Sequence, residues 1–284
     1  MKSFPSLPHV DDAPADLLES GHLWLLESVQ GAPFRFRLLD SGVVQFGDAD
    51  RVYDDAADLP AQYGHAVRHI RERLDREALR AAVDDVEAIV FFGTAMQYRG
   101  IDYDWERTPS FLGSDVWSAD AERFRPPDAV DGIFRRLGLD PINAVEQELP
   151  ARDFDPKRYE IPQSAWYDGP AAGIVIRDKQ GHRAELPNPD TDSDDSPRSP
   201  PTSTSTEVTA ADLAASHATD GRMRALAEEL AERNRPVTAD ALYERVCEAV
   251  FRVVDPHIFE RGTVDRAAVR EELAALTRRF LDER

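Results

Sequence analysis

Ser28 stands at the end of a strand-like pattern, in Glu27-Ser28-Val29-Gln30-Gly31, and Ala32-Pro33-Phe34-Arg35-Phe36-Arg37 follows. The Ser28 hydroxyl is a candidate nucleophile. A serine nucleophile needs a base beside it. No His or Lys is adjacent to Ser28, and His22, six residues earlier, shares its strand face but is too far along it. Lysine occurs only at Lys2, Lys157 and Lys179, so none lies between Lys2 and Lys157 to take over locally. Lys179 falls in a hairpin turn and reads as a solvated turn residue. His65 and His69 have the i, i+4 spacing of a helical metal pair, but without a third ligand they read as exposed helix histidines. Asp84-Asp85-Val86-Glu87 and Asp102-Tyr103-Asp104 could hold a hard cation, yet in so acidic a chain they read as solvated surface. No metal site is expected.

These groups must be positioned by elements that the apolar pattern outlines. Residues 23–29 and 34–38 read as strands around a Gly31-Ala32-Pro33 turn. Residues 61–83 read as a helix with Val67, Ile70 and Leu74 on one face. Residues 88–92 form a short buried strand ending at Gly93, and 111–117 another. Val130, Ile133, Phe134 and Leu137 follow helical spacing, and Gly138 is placed as a C-cap. Residues 173–177 and 182–186 make a hairpin around Asp178-Lys179-Gln180-Gly181. Residues 188–206 are free of apolar side chains and rich in Pro, Ser, Thr and Asp, which predicts a disordered linker. Everything beyond is helical: 210–234 broken near Asp220-Gly221, a helix capped by Thr238 and running to 254, and a last helix capped by Thr263. Its inward stripe is Val269, Leu273, Leu276 and Phe280, which reads as the core of a small helical module.

Composition sets the surroundings. The net charge is −20 over 284 residues, and nearly all positive charge is arginine. Such a surface suits high salt and points to a halophilic cytoplasm; it concerns solubility more than fold. High salt also shortens electrostatic reach to a few ångströms, so acidity does not argue against nucleic acid. No broad basic patch supports nonspecific phosphate binding. The single cysteine, Cys247, supports neither a disulfide nor a Cys-based metal site. No signal-peptide pattern and no apolar run of about 18 residues is present, so the chain is expected to be soluble and intracellular.

Five further stretches follow the opening motif in order. They are Phe46-Gly47-Asp48-Ala49-Asp50-Arg51, Phe91-Phe92-Gly93-Thr94-Ala95-Met96, Pro109 through Trp117, Ala171-Ala172-Gly173-Ile174-Val175-Ile176-Arg177, and Gly181-His182-Arg183-Ala184-Glu185-Leu186. Together they resemble the ordered motifs of the ATP-dependent RNA ligases, of the covalent nucleotidyltransferase superfamily, over most of the first 187 residues. The resemblance implies an α+β fold whose antiparallel sheets flank a nucleotide cleft. It divides the chain into a ligase-like domain at 1–187, the linker at 188–206 and a helical module at 207–284.

In that family a motif lysine attacks the ATP α-phosphate, two acids serve ribose or metal, and a later lysine stabilises the developing charge. The family's nucleophile maps to Ser28, its first acid to Thr94, its second acid to Ala172 and its late lysine to Glu185. Gln30 holds the place of an acid or imidazole, and Ser114 that of an aromatic able to stack on adenine. Glu27, Gly31, Phe34, Phe36, Gly93, Asp115, Gly173 and Ile176 remain as framework. Glu27, Gly31, Arg51, Phe92, Arg177 and Arg183 are the residues the resemblance sets near a nucleotide. The reading is a catalytically degenerate RNA ligase-like protein that binds RNA ends, a nucleotide or an active ligase paralogue, without a cofactor. A second reading is an active ATP-dependent RNA ligase of RNA repair with a displaced nucleophile, using ATP and Mg2+. A third is an interaction module that keeps only the fold.

Overall fold

The structure, a computed structural model, describes residues 1–55, 58–191 and 208–283. The chain divides into two compact units: Met1–Gln97 with Ile101–Ser193, and Tyr98–Gly100 with Asp194–Arg284.

The first unit is built on ten strands: β1 (His22–Ser28), β2 (Ala32–Leu38), β3 (Val44–Gly47), β4 (Val52–Tyr53), β5 (Ile89–Ala95), β6 (Phe111–Ser118), β7 (Arg123–Phe124), β8 (Ala144–Pro150), β9 (Gly173–Arg177) and β10 (Arg183–Pro187). They form a four-stranded sheet ordered β10-β9-β1-β8 and a six-stranded sheet ordered β4-β3-β2-β5-β6-β7. Every pairing is antiparallel. The expected α+β class with antiparallel sheets is thus observed.

Side-chain alternation gives each sheet an outer and an inner face. In β1, Leu23 and Leu25 join Ile174, Ile176 and Ala184 under Leu17 of α1 (Ala15–Glu19). Trp24, Leu26 and Ser28 face the other way. In the six-stranded sheet, Phe34, Phe36, Phe91, Phe111 and Val116 pack with Val67 and Ile70 of α2 (Gly64–Arg73) and Phe134 of α4 (Pro127–Arg136). Burying those phenyl rings is the main source of stability here, at roughly 1.5–3 kcal/mol for each large side chain. The inner faces carry Arg35, Phe92 and Asp115, which sit side by side across β2, β5 and β6.

Several boundaries differ from the sequence expectation. Ala32 and Pro33 already belong to β2; the β3 ladder begins only at Arg35, so Pro33 has a partner strand on one side alone. The expected helix at 61–83 is a 3₁₀ turn, α2, and then α3 (Arg76–Ala82), restarted where Asp75 accepts a hydrogen bond from the Ala78 amide at 2.8 Å. Segment 46–51 contributes its first residues to β3 and opens the turn into β4. Strand β8 was not expected. It is an edge strand with no fully buried residue, and its Glu-Gln-Glu stretch hides the pattern.

The second unit holds α5 (Ala210–His217), α6 (Asp220–Glu232), α7 (Ala239–Val253), α8 (His257–Glu260) and α9 (Arg266–Asp282). Leu213, Met223, Leu230, Leu242, Val246, Val250, Val269, Leu273 and Phe280 form its own core, as expected. Thr238 caps α7 as expected. The break before α6 is at Thr219, which caps it, and the last helix is capped by Asp265 rather than Thr263. The expected linker at 188–206 lies largely outside the described residues. Its first residues are folded: Asn188 is buried and donates to the Ala171 carbonyl at 2.9 Å. No described helix is long and apolar enough to cross a membrane.

Candidate functional site

Ser28 ends β1 opposite Gly173 of β9, and Glu185 lies one strand further on β10. Gly173 pairs with Pro187 of β10, and Glu185 stands opposite Val175. A Cβ on Gly173 would stand 2.6 Å from the Leu186 carbonyl oxygen, at a backbone φ of +154° that L side chains rarely adopt. The Ser28 hydroxyl donates to Glu185 Oε1 at 2.6 Å. The first residues of the chain reach the same edge, because the Glu185 amide donates to the Pro8 carbonyl at 2.8 Å.

Ala172 directly precedes Gly173, and its carbonyl accepts from the Asn188 amide at 2.8 Å. Thr94 lies against Gly31, where a Cβ would meet Thr94 Cγ2 at 2.4 Å and the Ala95 carbonyl oxygen at 2.6 Å. Only glycine lets the chain pass from β1 to β2 there. Of the four mapped positions, Ser28 and Glu185 meet directly, while Thr94 lies against Gly31 and Ala172 beside Gly173.

Glu27 faces the opposite side of β1 and is buried. Its carboxylate accepts from Ser164 Oγ at 2.6 Å, Asn143 Nδ2 at 3.0 Å and the Ala165 amide at 3.1 Å. Those donors come from within the domain, so the carboxylate is an internal anchor. The Gln30 amide donates to the Tyr103 hydroxyl at 2.8 Å. Burial, with Glu27 adding to it, pushes that phenol above its ordinary value. Tyr103, Asn143 and Ser164 were not singled out from sequence. They lie 73 to 137 residues from their partners, and nothing local marks them.

Asp115 bridges the two sheets. Arg177 Nη2 reaches its Oδ1 at 2.8 Å and Arg183 Nη1 at 3.0 Å, all three residues being buried. Arg177 also donates to the Ser114 carbonyl at 2.8 Å. Burial pulls the Arg177 guanidinium down from its ordinary value, while Asp115 holds it up. Arg183 stacks over Phe124, and Phe92 packs on the same ring. Arg51 is not brought to this place: it is exposed in the turn between β3 and β4, its guanidinium over Tyr53. Beside Arg177 is a cavity of about 160 Å³ lined by Trp24, Leu26, Ser114, Pro141 and Ile142 among others. Ligand pockets typically run to about 300–1,000 Å³, so this one does not accommodate a nucleoside triphosphate.

His65 and His69 are buried, not exposed, because α2 is covered from His65 round to Val67. His69 Nε2 lies 3.8 Å from Asp140. Lys179 is at the surface as expected but pairs with Glu148 at 2.9 Å and Asp128 at 3.1 Å. Among the described residues no group of three or more His, Cys, Asp or Glu could hold a metal. The donor set at the mapped positions, a hydroxyl spent on a carboxylate plus Thr94 and Ala172, does not fit ATP with Mg2+.

No protein-family model matches the sequence, and no curated protein matches it either. Solved structures of the Naegleria gruberi RNA ligase do resemble this chain. One mutant with ATP and Mn matches at a TM-score of 0.53 and 11% identity, over 66% of this chain and 57% of that one. Another mutant, with AMP and Mn, gives 0.51 and 13%, over 66% and 56%. The ligase with PPi gives 0.50 and 13%, over 66% and 56%. The chain thus spans a little over half the length of these ligases. At this identity the likeness is one of fold: the RNA ligase-type nucleotidyltransferase fold.

Proposed function

We propose that this chain is a catalytically degenerate RNA ligase-like protein, which binds an RNA end in the space between its sheets and forms no covalent AMP. The observation that carries the reading is the Ser28–Glu185 hydrogen bond of 2.6 Å. It joins the positions of the family's two lysines and leaves a carboxylate where a cation should meet the α-phosphate. Removing one preorganised charge-stabilising group commonly costs about 10²–10³-fold in rate. Thr94 and Ala172 remove the acids as well. The acidic, lysine-poor surface supports a place in a high-salt cytoplasm.

The same contact has the geometry of a nucleophile and its base, which favours a second reading: Ser28 activated by Glu185 as a displaced nucleophile. Against it stands the negative charge left beside the incoming triphosphate. Incubation of the full chain with α-labelled ATP and Mg2+ or Mn2+, in high salt, separates the two. The degenerate reading expects no label on the protein. It also expects none from Ser28→Lys alone, because Thr94, Ala172 and Glu185 remain. Covalent AMP on the unaltered chain would overturn it. Should a free nucleotide or a ligase paralogue bind while RNA ends do not, the fold stands and the RNA-end assignment falls.

A further inference from the structure

Lys2 and Phe4 lie against the inner face of the six-stranded sheet, and Pro8 bonds to β10 of the other sheet. Arg35 Nη1 donates to the Lys2 carbonyl at 2.9 Å, and the Arg35 guanidinium sits over Phe4. The Phe4 ring meets Phe92 edge-on with centroids 5.0 Å apart. Lys2 Nζ stands 4.1 Å above the Trp117 ring. Beneath this segment Trp117, Phe124 and Phe92 form a continuous aromatic surface, edged by Arg35 and Arg37 on β2. Arg35 is only 3% exposed, yet its Nε has no hydrogen-bond partner.

Resting on the reading above, we propose that this face is the docking surface for single-stranded RNA, and that residues 1–8 are a strap occupying it in place of RNA. The strap's contacts specify the ligand. Phe4 takes the position of a base against Phe92, and the Lys2 carbonyl presents an acceptor oxygen to Arg35 where a phosphate oxygen would sit. Aromatic platforms flanked by cations hold single strands by stacking, at about 1–3 kcal/mol per base, with little regard to sequence. A duplex keeps its bases stacked inside and cannot use Phe92 and Trp117. The strap and RNA therefore compete, and the measured affinity is the intrinsic affinity scaled by the fraction of time the face is open.

The experiment is fluorescence anisotropy with a labelled single-stranded RNA decamer and the matching duplex, on three forms of the full chain: unaltered, lacking residues 2–6, and Phe4→Ala. The deletion keeps Pro8 and its bond to β10. A face covered about nine-tenths of the time gives roughly tenfold tighter single-strand binding on deletion, a smaller gain with Phe4→Ala, and no gain for the duplex. Adding Trp117→Ala to the deletion should abolish the gain. Equal affinity of the unaltered and shortened chains overturns the strap while leaving RNA-end binding intact. Weaker binding on deletion overturns it too, and so does an equal gain for the duplex. No RNA binding by any form overturns both the strap and the reading beneath it. If the shortened chain fails to fold, Phe4→Ala in the complete chain carries the same comparison.

Discussion

Two carboxylates mark the two ends of the β9–β10 hairpin, and their company is opposite. At Gly173, Glu185 accepts from one neutral hydroxyl and both groups are half-buried. At the far end Asp115 takes two guanidiniums, and all three side chains are buried. The distances are alike, 2.6 Å against 2.8 and 3.0 Å, so length does not separate them. Burial does. A half-buried hydroxyl–carboxylate pair can be rebuilt with water, so substitution there is cheap and chemistry can drift away without harm to the fold. An ion cluster sealed between sheets cannot be rehydrated and must be kept.

That contrast predicts its largest effect at Asp115. Asp115→Ala leaves Arg177 and Arg183 buried without a counter-charge, and breaking a buried pair by removing one partner costs about 3–5 kcal/mol. Thermal unfolding should show the midpoint lowered by roughly 2–4 °C for each kcal/mol in a domain of this size. A loss below about 1 kcal/mol would place Asp115 among surface-like pairs and erase the distinction.

Gly31→Ala sharpens the comparison at an intermediate scale. It adds a methyl facing Thr94 Cγ2 at 2.4 Å and the Ala95 carbonyl at 2.6 Å. Overpacking of this kind costs about 1–3 kcal/mol. Thr94→Ala in the same chain relieves only the side-chain clash, since the carbonyl belongs to the backbone. Partial recovery of the unfolding midpoint is therefore expected. Full recovery would show that Thr94 alone enforces the glycine.

Much of this framework was legible because strands announce themselves by alternation and burial. The 173–177 and 182–186 hairpin, the buried strands expected at 88–92 and 111–117 and the Gly138 cap followed from local pattern, though β5 runs past Gly93 to Ala95. The pairing of β1 with β9 and of β9 with β10 carries Ser28 and Glu185 to one another, because register between paired strands is set by the same alternation. What was not legible depends on distance in sequence. Tyr103, Asn143 and Ser164 look like ordinary loop residues until the fold carries them to Glu27 and Gln30. The histidines of α2 were misjudged for a related reason: two polar residues on a helix signal an exposed face only if nothing packs there. Lys2 and Phe4 gave no pattern at all, being too few to show a period.

The smallest effect is expected at Ser28 itself. Ser28→Ala removes one hydrogen bond, whose net worth is about 0.5–1.5 kcal/mol, and Glu185 is exposed enough to recover its acceptor capacity from water. The measured loss should fall at or below the low end of that range. A double-mutant cycle with Glu185→Gln isolates the pair from other consequences of each change. The two sites are hydrogen-bonded, so a coupling near 0.5 kcal/mol fits a half-buried hydroxyl–carboxylate pair that water can replace. A coupling as large as the Asp115 loss would mean that Ser28 and Glu185 hold the fold together. In that case the exchange of lysines for this pair would have to be read as stabilisation, and the argument that chemistry can leave without structural cost would fail at the place where it was drawn.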